Sequence, residues 1–225
     1  MHYTYLLTLL FTLSYPLFKS FENKISFSGK WKFLFPAILI SAGIFIAWDI
    51  WFTTTGVWGF DPGFVIGFYI FKLPIEEWLF FFIVPYSCVF IYEVMNYFVK
   101  KDLPNALTKI ITIILISALL IIAATNIDKI YTAVTFIALA SFLGLHLFIL
   151  RSDYIGRFYI AWAVCTIPFL IINGFLTSTV LIYDNMKNLN IRIYTIPLED
   201  YFYGMLQILL VITVYEFFKR KISAS

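Results

Sequence analysis

Two adjacent carboxylates, Glu76 and Glu77, sit inside the stretch Leu73-Pro74-Ile75-Glu76-Glu77-Trp78-Leu79-Phe80. The same arrangement returns 123 positions later as Ile196-Pro197-Leu198-Glu199-Asp200-Tyr201-Phe202-Tyr203. The offset persists further along, where Tyr92-Glu93 becomes Tyr215-Glu216. A carboxyl group in apolar surroundings beside a second carboxyl resists ionisation, because burial and like charge both penalise the anion. One member of such a pair keeps its proton while the other is ionised, which places an acid and a base in one pocket. That pair can add a proton at one carbon and remove one at another without a redox cofactor. The sequence carries neither a Gly-x-Gly-x-x-Gly fingerprint nor a phosphate loop to hold one. Aromatic faces nearby would stabilise a carbocation by about 2 kcal/mol when desolvated.

Proline followed by acids is also an ordinary helix start, since proline's missing donor costs nothing there and carboxylates suit the positive end of the dipole. Repetition at equivalent places in both halves exceeds what capping needs. Charges within membrane spans cost about 2.5–3.5 kcal/mol each at the centre, so they tend to serve a purpose. Asp49 and Asn173 fall at the same depth in near-equivalent positions. The level therefore carries Asp49, Glu76, Glu77, Asn173, Glu199 and Asp200, with the two acidic pairs as catalytic candidates and Asp49 and Asn173 as supporting polar groups. Trp48, Trp51, Trp58 and Trp78 border it, either as an interfacial aromatic belt or as a lining that stabilises substrate and cation. Glu93 lies sixteen residues beyond Glu77, about 24 Å along a helix, so it belongs to a different place. Glu93 and Glu216 read as pairing residues beside Lys100 and Lys219. His146 has no second His or Cys at ligand spacing, which argues for a hydrogen-bonding role and against a metal site.

The elements that must position these residues are membrane helices. Hydrophobic residues make up 62% of the chain, aromatics 21% and charged residues only 13%, which places it outside the soluble globular range. A net charge of +3, with the basic residues scattered, excludes nucleic acid as a partner. Cys88 and Cys165 lie in apolar runs and support no disulfide framework. Runs of about 20 apolar residues mark seven spans, near 3–19, 33–53, 77–99, 106–125, 130–150, 157–181 and 199–218. The first lacks a basic leader and a small-residue cleavage site, so it reads as a mature span. The connection 54–76 is rich in Gly and aromatics. Its apolar portion from Phe64 to Phe71 is too short to span and is expected to lie at the interface or dip back into the protein.

Of the 16 Lys and Arg residues, Lys72, Lys129, Lys187 and Arg192 fall on one side and twelve on the other. The positive-inside rule then puts the C-terminus in the cytoplasm and the N-terminus outside, in a multi-pass inner-membrane protein. Spans one to three correspond to spans five to seven, with Tyr3-Thr4 opening the first set as Tyr131-Thr132 opens the second. An unmatched fourth span returns the chain across the bilayer, so the two copies are parallel. The expected organisation is a first repeat over 1–103, a linker helix over 104–126 and a second repeat over 127–225. The fold class is an all-α integral membrane protein.

Pro-Ile-Glu-Glu-Trp-Leu-Phe-Phe in one half and Pro-Leu-Glu-Asp-Tyr-Phe in the other, with Asp49 and then Thr55-Gly56-Val57-Trp58-Gly59-Phe60 upstream, resemble the heterodimer-type lycopene cyclases. In that family the two halves are separate subunits in some bacteria and fused in others. The resemblance covers nearly the whole chain. It implies protonation of an acyclic carotenoid at carbon 2, attack of the 5,6 double bond on the resulting cation, and loss of a proton to set the ring alkene, with β-rings as the expected product. It maps the paired acids onto Glu76 and Glu77 and onto Glu199 and Asp200, with either Glu77 or Glu199 as the acid. The shorter Asp200 leaves open whether it reaches the substrate or supports Glu199. The implied partners are lycopene or a related carotenoid, membrane lipid, and a second copy of the chain or other carotenoid enzymes. No cofactor is implied.

Three rival readings are weaker. A rhodopsin needs a Schiff-base lysine, absent from Glu199 to Phe218, and a prenyltransferase needs aspartate-rich diphosphate motifs with another spacing. A proton-coupled transporter shares repeats and protonatable acids, but its half-helices call for breaks inside the spans, and the prolines there, Pro16, Pro85 and Pro168 among them, are few.

Overall fold

The computed structural model describes residues 1–223, so residues 224 and 225 of the expected second repeat lie outside the described residues. It is an all-α membrane bundle. Its helices are α1 (Thr4–Lys19), α2 (Trp31–Thr54), α3 (Ile75–Phe98), α4 (Asn105–Thr125), α5 (Ile130–Gly144), α6 (Ile155–Thr179) and α7 (Leu198–Ser223). A π-helical turn, Leu145–Leu150, prolongs α5. Six of these helices are long and apolar enough to cross a membrane. The exception is α1, whose 16 residues extend about 24 Å against a hydrocarbon core of about 30 Å. It lies along α3 and buries Tyr5, Leu9 and Pro16.

The centre of the bundle is α3 and α7. Each is packed by the first helix of its own half and by the second helix of the other: α1 and α6 lie on α3, α5 and α2 on α7. Phe81 and Tyr92 of α3 and Leu209, Ile212 and Tyr215 of α7 are almost fully buried. By contrast α4 rests on α5 and turns Ile110, Ile113, Ile114 and Ile121 outward, as a lipid-facing helix does.

The two long connections fold into short hairpins at one end of the bundle, a feature that hydropathy does not reveal. The strands are β1 (Trp58–Phe60), β2 (Tyr69–Ile70), β3 (Leu73–Pro74), β4 (Leu181–Tyr183), β5 (Arg192–Ile193) and β6 (Ile196–Pro197). In β2–β3 the two-residue turn Phe71-Lys72 has positive φ at both positions, as a primed hairpin turn demands. In β5–β6 Tyr194 repeats the first of these. Gly67 (φ 92°) and Asn190 (φ 56°) occupy the same left-handed position 123 residues apart, the two residue types that tolerate it best.

The pairing of β1 with β4 joins the halves. Trp58 faces Tyr183, Gly59 faces Ile182 and Phe60 faces Leu181. Each residue thus faces the counterpart of its mirror position, with Gly59 and Ile182 at the centre. The flanking bonds follow the same rule: Asp184 N donates to Val57 O at 3.0 Å and Asp61 N to Val180 O at 2.8 Å. At the opposite end Tyr92 donates to Glu216 at 3.1 Å and Tyr215 to Glu93 at 2.9 Å. Reciprocal contacts at both ends are what an internal repeat produces when its copies face each other.

Glu93 also pairs with Lys30 and with Lys219 (2.9 Å), whereas the sequence pointed to Lys100. Glu216 pairs with Lys219 (3.3 Å) and Arg220 (3.8 Å). His146 bonds Ser152 and Thr213 through its two ring nitrogens, a structural tie between α5's extension and α7.

Candidate active site

Pro74 and Pro197 each end a hairpin strand and deliver the chain into a helix whose first turn carries the two acids. Within each pair the members point in different directions. Glu76 Oε1 accepts the Ile66 N–H at 2.7 Å, and Glu199 Oε1 accepts the Leu189 N–H at 2.7 Å together with Thr132 at 2.5 Å. Both acids reach back ten residues, both are 0% exposed, and each keeps one oxygen, Oε2, without a partner. They fasten the hairpin connections onto the helix starts.

The second member of each pair faces a cavity. Glu77 accepts the Tyr5 hydroxyl at 2.5 Å. Asp200 accepts Tyr131 at 2.7 Å, Tyr183 at 2.6 Å and Asn173 at 3.1 Å, so donors occupy both its oxygens. Tyr5 and Tyr131 are each the second residue of the first helix in their half. Their backbones are anchored alike, Tyr5 N to Phe64 O at 3.1 Å and Tyr131 N to Lys187 O at 2.9 Å. Tyr183 lies in β4, outside the spans. Burial, and then the neighbouring Asp200 carboxylate, pushes its phenol well above the ordinary value, so it remains a donor.

The cavity, about 410 Å³, runs between α1, α3, α6 and α7. It fills the gap left because α6 stands away from α7, whereas α2 packs closely along α3. Glu77, Asp200, Tyr5, Tyr131, Trp58 and Tyr203 form its polar and aromatic end. From there it follows α3 as far as Ile91, about 21 Å at the helical rise, through a mainly apolar wall. Phe11, Ser14 and Tyr15 of α1 and Pro168 of α6 line it and are also exposed on the bundle's outer surface. The cavity therefore reaches the side of the bundle, at α1 and α6.

The structure thus brings Glu77, Asp200, Asn173 and Trp58 together at one cavity. Glu76 and Glu199 stand behind them, outside its lining. Asp49 is buried and accepts the Trp58 indole at 2.5 Å, setting that ring against Tyr131 and Tyr203 (centroids 5.0 and 5.9 Å). Trp48 packs on Phe45 and Tyr203. Trp51 is 45% exposed on the outside, and Trp78 is half-buried with its indole on the Ile70 carbonyl at 3.3 Å, the place of an interfacial ring.

Motif reading assigns no site role to the four tyrosines at the site, Tyr5, Tyr131, Tyr183 and Tyr203, although Tyr131 opens the second repeat and Tyr203 closes its acidic motif. Tyr131 was matched there to Tyr3, but Tyr3 is 61% exposed and Tyr5 takes the equivalent place. The first helices are in register at an offset of 126, whereas matching Tyr3 to Tyr131 takes 128 and the acidic motif 123, so neither picks out Tyr5. Tyr183 stands where Phe60 stands in the first half, and no repeat argument could supply its hydroxyl.

No curated protein sequence and no solved structure matches this chain. A sequence model of one family, described as lycopene cyclase, matches residues 2–95 and 128–218. The two matched segments leave out α4 and each contain one copy of the acidic motif, one of the first-helix tyrosines and one hairpin connection. With most of its length matched in this way, the chain belongs to the lycopene cyclase family.

Proposed function

We propose that the protein cyclises the ends of an acyclic carotenoid such as lycopene, giving β-rings, by acid/base chemistry that needs no cofactor. The observation that carries this reading is that one acid from each half, Glu77 and Asp200, lines a single cavity whose exposed lining lies on the side of the bundle. A hydrocarbon dissolved in lipid reaches such a site without crossing water. The donors divide the roles. Three are aimed at Asp200 and one at Glu77; donors are what a carboxylate needs, so Asp200 serves as the anion and base and Glu77 as the protonated acid.

Glu77 gives its proton to carbon 2. The electrons of the 5,6 double bond close the ring onto carbon 1 and leave the cation at carbon 5. Asp200 removes the proton on carbon 6, and the 5,6 alkene forms. The reaction is an isomerisation, and returning one proton from Asp200 to Glu77 resets the site. Trp58 and Tyr203 supply the aromatic faces that hold the cation. Glu76, Glu199, Asp49 and Asn173 position these groups.

We further assign the halves 1–103 and 127–225 as parallel repeats joined by the linker helix 104–126, in the inner membrane with the hairpins outside and the C-terminus in the cytoplasm. Self-association and contact with other carotenoid enzymes fit the outward apolar faces. The test is expression in bacteria that already make lycopene, followed by pigment analysis. Cyclised pigment supports the reading. Unchanged lycopene beside well-expressed, membrane-inserted protein overturns it and returns attention to proton-coupled transport.

A further inference from the structure

The site is built from two repeated halves, yet among the described residues the cavity beside it lies on one side, between α1, α3, α6 and α7. With Asp49 of α2 standing where Asn173 stands in α6, Phe45, Trp48 and Phe52 correspond to Phe169, Ile172 and Leu176. The last three line the cavity. Their counterparts fill the equivalent groove: Phe45 meets Tyr203 at 5.1 Å, Trp48 meets Tyr203 at 5.4 Å, and Phe52 meets Tyr131 at 5.7 Å between ring centroids. Phe45 and Phe52 are almost wholly buried. Larger rings in place of Ile and Leu close one groove, and the closer packing of α2 on α3 than of α6 on α7 does the rest.

Both acids are therefore used by the one open groove. Its polar end lies under the β1–β4 pair, and its exposed lining residues, Phe11, Ser14, Tyr15 and Pro168, belong to α1 and α6, so a polyene enters there with its reacting end foremost and leaves its tail in the lipid.

Resting on the proposed cyclase activity, we infer that each chain holds one polyene and works on one end per visit. A singly cyclised carotenoid must then back out through the α1–α6 mouth, reverse in the bilayer and return before its second end reacts. Trp48 and Phe52 are the residues that exclude a second polyene.

Two measurements test this separately from the activity. Lycopene bound by the Glu77→Gln protein in lipid nanodiscs is counted against protein by absorbance, with Asp200→Asn as an independent second variant. One per chain is expected, and two per chain overturns the inference. Wild-type protein in vesicles is then given isotopically labelled lycopene with an excess of unlabelled singly cyclised carotenoid. Doubly cyclised product whose label falls in proportion to the excess supports the inference, as does a reaction that stops after one ring. Doubly cyclised product with undiluted label overturns it. If no ring forms while one polyene binds, the cyclase reading fails and the one-site count stands.

Discussion

Glu77 and Asp200 differ less in their own chemistry than in what is aimed at them. Removing the acid or the base from a proton-transfer step lowers the rate about 10²–10⁴-fold. Glu77→Gln and Asp200→Asn are expected to fall by that amount in pigment yield at equal membrane expression. Glu76→Gln and Glu199→Gln act through the hairpins they fasten, so a partial loss with lowered thermal stability is expected instead. Equal losses in all four variants would refute the division of roles. Tyr183→Phe takes one of three donors from Asp200, and a bond to a charged group carries about 1.5–3 kcal/mol, so a loss of about 10–100-fold follows. The measurement is initial rate in vesicles, and an unchanged rate would show that Tyr131 and Asn173 suffice.

At the scale of elements, the hairpins decide where the helices begin and hence where the acids point. Gly67 and Asn190 carry the left-handed turns that lead into β2 and β5. A β-branched side chain at Gly67 (φ 92°) stores about 1–3 kcal/mol of strain. Gly67→Val is therefore expected to lower the melting temperature in detergent, while Asn190→Gly changes it little. These hairpins were partly legible: the Gly-rich, aromatic connection 54–76 signalled something other than a span. The β1–β4 pairing was not, because three residues such as Trp58-Gly59-Phe60 become a strand only when the other half presents Leu181–Tyr183 to them.

For the whole molecule the consequence is a cavity whose exposed lining lies on α1 and α6. Ser14 lines the mouth on α1 without touching the acids' hydrogen bonds, since its hydroxyl turns back to the Phe11 carbonyl. Ser14→Trp is expected to raise KM for vesicle-borne lycopene while leaving kcat near wild type. A fall in kcat alone would place the route elsewhere. The matched segments end at residue 95 and resume at 128, on either side of α4. Chains cut within that interval and co-expressed are expected to recover cyclisation that neither half shows alone, because Asp200 and Glu77 come from different pieces. Activity in one half by itself would overturn the shared site.

The sequence by itself determined the membrane class, the helices with only small shifts at their ends, and the paired acids, because apolar run length and a repeated motif are local properties of the chain. It also marked Asp49, Asn173 and Trp58 as lying at the level of the acids. Which acid of each pair faces the cavity was decided only by tertiary structure: adjacent helical residues point about 100° apart, and only the neighbours show which direction is core and which is open. The tyrosines belong to the same class of fact, since Tyr5 and Tyr131 meet their acids across 72 and 69 residues of chain. The single open groove likewise arose from packing, where Trp48 and Phe52 fill what Ile172 and Leu176 leave empty.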